Sequence, residues 1–161
     1  MATLFLLRHA HAGDAMRWTG DDDIRPLSNK GRRQAERLGR LLLGSDDAPD
    51  LLLTSPRLRA AQTAEIVGSI LGVPVVEDPR LAGPLDAAVV EDIVMAAGPA
   101  ARPCLVGHDP DFSELLGELI GVDVVPMRKC AIARVDFEAG IQDGRGVLRL
   151  LLPPELIPGK S

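Results

Sequence analysis

Short apolar runs that stop abruptly at polar residues constrain the fold of this chain most strongly. The first, Thr3 to Leu7, is almost wholly apolar and is followed at once by Arg8 and His9. A strand that is buried on both faces needs no polar alternation, so this run predicts a strand of a parallel sheet. Similar runs at 50–55 and 103–107 predict two more such strands.

Amphipathic segments alternate with these strands. Ser28 suits the N-cap of a helix that ends near Gly44, and Pro56 suits the first turn of a helix that ends near Leu71. The other predicted elements are helices over 86–97 and 112–120, a strand over 72–76, and a hairpin of strands over 131–137 and 147–152. Strands and helices that alternate in this way predict a three-layer α/β/α sandwich with a mostly parallel central sheet. The polar alternation of the 131–137 strand predicts that one of its faces is exposed.

Length and composition limit the other possibilities. A chain of 161 residues with 46% hydrophobic and 25% charged residues fits one domain, predicted over 1–152, with a loosely packed Pro-rich tail over 153–161. The formal charge of −5, with only three Phe and one Trp as aromatic residues, disfavours a surface for nucleic acid or for an anionic membrane. The N-terminal apolar run is too short for a signal peptide or a membrane span, so we expect a cytoplasmic protein. Cys104 and Cys130 are expected to be buried, reduced thiols.

Three strand ends carry the residues of most chemical interest. The first strand delivers Arg8 and His9, the second is followed one helical turn later by Arg59, and the 103–107 strand delivers His108 and Asp109. If these strands are parallel neighbours, their carboxyl ends bring two arginines and two histidines into one pocket. Guanidinium groups bind phosphoryl oxygens as planar forks, and an imidazole can attack phosphorus. The pattern therefore favours phosphoryl chemistry; the simpler alternative is that Arg8 and His9 only solvate a strand end.

Longer motifs around these residues resemble those of a known family. The segments Leu7–Ala10, Ser55–Ala64 and Val106–His108 are similar to the R-H, S-P-x-x-R-A-x-Q-T and G-H signatures of the histidine phosphatase (phosphoglycerate mutase-like) superfamily, in the same order. Arg25–Ser28 and Met127–Val135 further resemble its SixA-type phosphohistidine phosphatases. The resemblance spans nearly the whole chain, and its middle block is the most specific part.

This resemblance implies a phosphoglycerate mutase-like fold and a phosphatase that works without a metal or an organic cofactor. His9 would be the nucleophile that becomes phosphorylated, while Arg8, Arg59 and His108 would hold the phosphoryl group. The two nearby cations should favour the neutral imidazole of His9, which is the form able to attack. We expect His11 to lie at the rim of the pocket, in contact with the substrate.

One departure from the family pattern bears on the substrate. The mutase-like relatives carry a Glu proton donor where this chain has Leu81-Ala82-Gly83. An alkoxide leaving group needs a proton donor, whereas the imidazole of phosphohistidine can be protonated by solvent or already carry its proton. The missing Glu therefore favours phosphohistidine over a phosphate ester. Asp86 and Asp109 could serve as donors instead, although each is also well placed to cap a helix.

The remaining charged residues are predicted to lie outside the pocket. Residues two apart do not share a helix face, so Arg57 should point to the surface if Arg59 faces the pocket. The acidic run Asp21–Asp23 is predicted to be a solvated loop. The pair His9-x-His11 could begin a metal site, but only one further His is present in the chain, which disfavours a metal.

The main hypothesis is a single-domain hydrolase that acts on phosphohistidine of a partner protein through a covalent intermediate at His9. The second hypothesis is a small phosphomonoesterase that uses Asp86 or Asp109 as its proton donor. A third is a non-catalytic, phosphate-sensing binding module. The presence of both histidines and both arginines disfavours that module, because binding alone does not require a nucleophile.

Overall fold

A mixed six-stranded sheet forms the middle layer of the computed structural model, which describes residues 1–159. The strands are β1 (Ala2–Arg8), β2 (Leu51–Thr54), β3 (Val75–Glu77), β4 (Pro103–Gly107), β5 (Ile132–Phe137) and β6 (Val147–Leu152). The helices are α1 (Asn29–Leu43), α2 (Leu58–Leu71), α3 (Ala87–Ala96) and α4 (Asp111–Ile120). Short 3₁₀ helices lie at Asp22–Ile24, Pro79–Ala82 and Pro154–Leu156. The predicted α/β class is confirmed.

The strand order brings the three predicted strand ends together. The order across the sheet is β3-β2-β4-β1-β5-β6, and the first four of these strands run parallel. Leu105 of β4 pairs with Leu6 of β1 on one side and with Leu53 of β2 on the other. The carboxyl ends of these three strands therefore lie side by side, where parallel sheets bind their ligands. β5 and β6 form the predicted antiparallel hairpin next to β1.

Helices cover both faces of the sheet. Leu4 and Leu6 of β1 belong to the hydrophobic cluster that includes α3 and α4, whereas Phe5 and Leu7 belong to the cluster that includes α1 and α2. Successive strand residues point to opposite faces, so a strand covered on both sides must be apolar throughout. This burial accounts for the lack of polar alternation in β1 and completes the three-layer architecture.

The helix ends follow the capping residues in the sequence. Ser28 accepts a hydrogen bond from a first-turn amide of α1, which ends at Gly44, and Asp86 accepts one from a first-turn amide of α3. Gly72 has φ 69°, a left-handed conformation that ends α2. Because Gly72 belongs to this helix cap, β3 begins at Val75 and not at residue 72 as predicted.

The prediction that the 131–137 strand has an exposed face is wrong. β5 lies between β1 and β6 and is buried over most of its length. Asp136 is 5% exposed and accepts hydrogen bonds from Thr3 Oγ1 at 2.9 Å, Arg134 Nε at 3.1 Å and Arg149 Nε at 3.2 Å. The polar residues of this strand therefore pair with one another and with its neighbours.

The C-terminal segment is packed more closely than predicted. Ile157 is buried in the hydrophobic cluster that includes α1 and α2, which anchors the chain after β6. The last part of the predicted tail, residues 160–161, lies outside the described residues.

Two expectations from composition can also be compared with the structure. Cys104 and Cys130 are buried free thiols, as predicted. Over residues 1–159, no helix is both long enough and apolar enough to cross a membrane.

Candidate active site

A cavity of about 290 Å³ lies at the carboxyl ends of β1, β2 and β4. All four residues predicted as catalytic line it, namely Arg8, His9, Arg59 and His108. The other lining residues are Gly13, Asp14, Ala15, Arg25, Arg57, Asp109 and Lys129. Five cationic side chains and two carboxylates therefore surround the two histidines, so the cavity attracts anions although the whole chain is acidic.

Backbone hydrogen bonds hold His9 in one orientation. Its amide donates to the Gly107 carbonyl at 3.0 Å, and its ring Nδ1 lies 2.8 Å from the Ala10 carbonyl oxygen. A carbonyl oxygen can only accept, so Nδ1 carries the ring proton. The lone pair then resides on Nε2, the nitrogen that can act as a nucleophile.

The ring of His9 is neutral at physiological pH. Its pKa falls from 6.5 to about 3, chiefly because the ring is buried, with further lowering by His108 and by the charges of Arg59 and Arg8. These effects outweigh the hydrogen bond to the Ala10 carbonyl, which raises the pKa. An unprotonated Nε2 is therefore available without the need for a base to remove a proton.

His108 is held by a residue of the second strand end. Its Nε2 lies 2.7 Å from Ser55 Oγ, and this hydroxyl already accepts a hydrogen bond from the Arg57 amide at 3.2 Å. The Ser55 hydroxyl is free to donate to Nε2, and in that arrangement the ring proton of His108 is on Nδ1. Burial, followed by the charges of Arg57 and Arg59, lowers the pKa of His108 to about 3. The ring centroids of His9 and His108 are 5.3 Å apart.

Both arginines of the predicted site are fixed by protein oxygens. Arg8 Nη1 donates to the Met127 carbonyl at 2.8 Å and lies 3.7 Å from the Asp109 carboxylate. Arg59 Nη1 donates to the Asp22 carbonyl at 2.8 Å, and its Nη2 donates to the Asp22 carboxylate at 3.0 Å. Each guanidinium is thus oriented before any ligand binds.

Three residues that line this cavity each have a buried nitrogen without a hydrogen-bond partner within residues 1–159. These nitrogens are Arg8 Nε, Arg59 Nε and His108 Nδ1. Buried donors in folded proteins are nearly always paired. An oxyanion such as a phosphoryl group carries three oxygens that can accept hydrogen bonds from such donors, beside the free Nε2 of His9.

The prediction that Arg57 points away from the pocket is wrong. Arg57 lines the cavity, and its Nε lies 3.2 Å from the Asp23 carboxylate. The argument from helix faces fails because Arg57 is the N-cap of α2, with extended dihedrals of φ −60° and ψ 133°, and does not belong to the helix. The sequence did carry a signal for this boundary position, because Arg57 directly follows Ser55-Pro56. Pro favours the first turn of a helix, so the residues next to Pro56 lie where the helix begins.

The acidic run Asp21–Asp23 is solvent-exposed, as predicted, but Asp22 also contacts residues of the cavity. The Asp22 carboxylate lies 2.9 Å from Arg25 Nε and 3.0 Å from Arg59 Nη2. The hydrogen bond from Arg25 is the main cause that lowers the pKa of Asp22. Asp22 thereby contacts two cationic residues of the cavity. No local motif indicated the contact with Arg59, which is 37 positions away in the sequence.

Lys129 and Arg25 are further residues of the cavity to which sequence reasoning gave no role. Burial, with the charges of Arg8 and Arg25, lowers the pKa of Lys129. Arg25 Nη1 donates to the Ala12 carbonyl at 2.7 Å, which closes the loop after β1. Both residues lie in the segments that resemble SixA-type phosphatases, and that resemblance was the only signal for them.

Two other predicted site residues are not among the described residues that line the cavity. His11 Nδ1 lies 2.7 Å from Ser28 Oγ, so its ring packs against the N-cap of α1. Asp86 accepts a hydrogen bond from the Val89 amide at 2.9 Å and caps α3. The structure therefore does not place His11 among the described lining residues, in contrast with the predicted substrate contact. For Asp86 it shows the capping role that the sequence also predicted, and not a position in the cavity.

Asp109 does line the cavity, but its carboxylate is engaged. Its Oδ1 accepts from the Ser113 amide at 3.0 Å, and both oxygens lie 2.8 Å from Ser113 Oγ. Ser113 Oγ in turn accepts from the Met127 amide at 2.9 Å. The carboxylate of Asp109 therefore ties the start of α4 to the segment that fixes Arg8.

The long motif over residues 55–64 positions the loops around the cavity. Gln62 Oε1 accepts a hydrogen bond from the Leu27 amide at 2.9 Å. Thr63 Oγ1 accepts from the Ala10 amide at 3.0 Å and donates to the Arg59 carbonyl at 2.7 Å. These side chains connect α2 to the residues at the two ends of the loop between β1 and α1. This role explains why the motif carries polar side chains at these positions.

The geometry defines a class of site. A neutral imidazole with a free Nε2 lies among cations and unpaired donors, which suits binding of an oxyanion and nucleophilic attack on it. Within residues 1–159, no group of three or more His, Cys, Asp and Glu side chains is arranged to hold a metal ion. The fold and the site together suit an enzyme that acts on phosphoryl groups.

Comparison with known proteins identifies the family. The chain belongs to the histidine phosphatase superfamily. The model of branch 1 of that superfamily matches residues 4–83. Over 156 residues, the chain is 30% identical to Phosphohistidine phosphatase SixA of Escherichia coli, and the match covers 94% of this chain and 93% of that protein. By sequence, the chain is therefore a homologue of SixA within this superfamily.

Solved structures agree with the fold. The structure of the protein histidine phosphatase SixA complexed with tungstate superposes with a TM-score of 0.78 at 29% identity, covering 94% of this chain and 97% of that chain. A mycobacterial glucosyl-3-phosphoglycerate phosphatase complexed with VO3 superposes with a TM-score of 0.73 at 20% identity, covering 93% and 98%. The second likeness supports the phosphoglycerate mutase-like fold alone.

Proposed function

We propose that this protein hydrolyses phosphohistidine on a partner protein, through transfer of the phosphoryl group to His9 and without a metal or an organic cofactor. The observation that carries the proposal is the state of His9. Its ring is neutral because its pKa is about 3, and the Ala10 carbonyl fixes the proton on Nδ1. Nε2 is thereby ready to attack within a cavity lined with cations.

In the first step, the lone pair of His9 Nε2 forms a bond to phosphorus while the bond from phosphorus to the imidazole of the substrate breaks. The leaving imidazole keeps the electron pair of that bond and takes a proton from solvent, unless it already carries one. Arg8 Nε, Arg59 Nε and His108 Nδ1 donate to the three phosphoryl oxygens. Donors that are fixed in advance stabilise the charge that spreads over these oxygens in the transition state.

In the second step, water attacks phosphorus of the phosphorylated His9. The bond from Nε2 to phosphorus breaks, the electron pair returns to Nε2, and inorganic phosphate leaves. Splitting the hydrolysis in this way replaces one difficult displacement by two easier ones. The Ser55 hydroxyl keeps His108 in position through both steps.

The carboxylates of the cavity favour phosphohistidine over an ester. The Asp109 carboxylate accepts hydrogen bonds from Ser113, and Asp14 is paired with Arg17 at 3.8 Å. Neither group is oriented as a free proton donor, and residues 81–83 supply no acid. An imidazole leaving group does not require such a donor, whereas an alkoxide does.

A small phosphomonoesterase is the second candidate function. The observation that favours it is that Asp14 and Asp109 both line the cavity, where a carboxylic acid could protonate an alkoxide. This candidate requires Asp109 to release its hydrogen bonds to Ser113 during the reaction.

The test is turnover of a phosphohistidine protein beside p-nitrophenyl phosphate and sugar phosphates, all in EDTA. We expect phosphohistidine to have the highest kcat/KM, and His9→Ala to lower it by at least about a thousandfold. His11→Ala is the matched control, because His11 does not line the cavity among the described residues, and it should lose little. Preference for the esters would favour the second candidate, and loss of activity in EDTA would contradict the metal-independent mechanism.

A further inference from the structure

A second, shallower cavity adjoins the one that contains His9. It has a volume of about 250 Å³. The two cavities share Gly13, Asp14 and Arg25 as lining residues. On its outer side the second cavity is lined by Trp18, Pro26 and Leu27. We refer to this cavity, with these six residues, as the Trp18 groove.

Trp18 has no role in the hydrophobic core. It is the only Trp of the chain, it is 38% exposed, and it belongs to neither hydrophobic cluster of the described residues. The three Phe side chains, in contrast, are each at most 2% exposed. Its indole Nε1 donates to the Asp21 carbonyl at 2.9 Å. The polar end of the indole is thus satisfied within the chain, and the exposed part of its apolar surface is open to a partner, as in many protein interfaces.

The loop that carries Trp18 is held against the phosphoryl-binding residues. Asp22 contacts Arg59 at 3.0 Å, and Asp23 contacts Arg57 at 3.2 Å. These contacts fix the distance between the groove and the cavity that contains His9. Two further apolar side chains of the same loop are also exposed, Met16 at 92% and Ile24 at 57%.

We propose that the Trp18 groove binds an apolar side chain of the polypeptide that carries the phosphohistidine. The inference rests on the proposed function and states what the enzyme recognises next to the phosphoryl group. Its main support is continuity: a polypeptide whose phosphohistidine reaches His9 passes the rim formed by Gly13, Asp14 and Arg25, which is also the inner wall of the groove. A small phosphate ester would fill the first cavity only.

Synthetic phosphohistidine peptides test this proposal directly. One peptide has only Gly around the phosphohistidine, and a matched set places one Leu at each position within four residues on either side. For the wild type, kcat/KM for the best Leu peptide should exceed that for the Gly peptide by about tenfold, because an open groove removes part of a Leu side chain from water. Trp18→Ala should reduce this ratio to about one, and Trp18→Phe should retain most of it.

Leu150→Ala is the control, since Leu150 is 39% exposed on β6 and lies outside both cavities among the described residues. It should leave the ratio at about ten. Trp18 also reports binding without turnover: in His9→Ala, the Leu peptide should shift the Trp emission and inorganic phosphate should not.

The outcomes separate this inference from the proposed function. If the wild type hydrolysed the Gly peptide and every Leu peptide equally well, or if Trp18→Ala kept the tenfold ratio, the groove would not be the recognition site, while the proposed function would stand. If the wild type hydrolysed none of the peptides but did hydrolyse p-nitrophenyl phosphate, the proposed function would fail and this inference with it.

Discussion

The two histidines of the cavity should make the protein sensitive to mild acid. Both His9 and His108 have pKa values of about 3 in the folded state, in each case mainly because of burial. In the unfolded chain the pKa returns to about 6.5. A group whose pKa is lower in the folded state stabilises the protein fully above its unfolded pKa, and this stabilisation is lost as the pH falls towards the folded value. Below about pH 6.5, therefore, the unfolded chain takes up protons that the folded protein excludes.

The size of the effect follows from these pKa values. Between pH 7.5 and pH 5.5, each of the two histidines should lower the free energy of unfolding by about 1.4 kcal/mol, or about 2.7 kcal/mol together. The result depends little on the folded value, because any folded pKa below about 5 gives nearly the same loss over this interval. Such a loss is a large share of the stability of an ordinary domain.

Urea unfolding followed by far-ultraviolet circular dichroism at pH 7.5, 6.5 and 5.5 measures this loss. The comparison is with the double variant His9→Asn/His108→Asn, which should lose most of the pH dependence. Some should remain, because the pKa of His11 is also lowered by burial. Burial raises the pKa of Glu118, so the titration of Glu118 changes the stability in the opposite direction. Glu118 is present in both proteins, and its contribution cancels in the comparison. Equal slopes in the wild type and the double variant would refute the assignment of buried, neutral rings.

Three further predictions concern the packing and the charges of the site. Gly31→Ala should lower the free energy of unfolding by at least about 2 kcal/mol, because the new Cβ would lie 1.9 Å from the His11 carbonyl oxygen. Urea unfolding measures this loss. Gly44→Ala is the control and should change the free energy of unfolding little, because the nearest atom to its new Cβ is 3.6 Å away. Arg59→Lys should lower kcat/KM about a hundredfold, since Lys has no Nε donor and no planar fork; an effect below about threefold would contradict the role of this guanidinium. Tungstate at a hundred times its dissociation constant should stabilise the wild type by about 2.7 kcal/mol, and Arg59→Lys should gain clearly less at the same concentration in thermal unfolding.

Local signals in the sequence predicted the strands of the central sheet and the starts of two helices. Buried parallel strands need continuous apolar residues, and this requirement located β1, β2 and β4. Capping residues located the start of α1 at Ser28 and of α3 at Asp86. Because parallel strands end at a common edge, the convergence of Arg8, His9 and His108 followed without knowledge of the loops.

The errors concern residues whose positions depend on distant partners. Arg57 was assigned by the geometry of a helix to which it does not belong, and its extended conformation at the N-cap places it by the cavity. The exposure of Asp22 was predicted correctly, but its contact with Arg59, 37 positions away, was not predicted. The polar face of β5 was expected in water because a single strand does not reveal which strands will cover it. The hydrophobic periodicity of a sequence does not show which distant residues will contact each other.

Asp22 lies in the loop that follows β1, and the contacts of this loop bear on function. The strand ends supply His9 and His108 through a rigid sheet, so the positions of these two residues are determined by the fold. The loop instead takes its shape from side-chain contacts, among them the long-range contact of Asp22 with Arg59. It also forms one side of the cavity and carries Trp18. A loop on a rigid scaffold can change without disturbing the chemistry. Substrate choice in this protein should therefore depend on the loop after β1, while phosphoryl transfer depends on the strand ends.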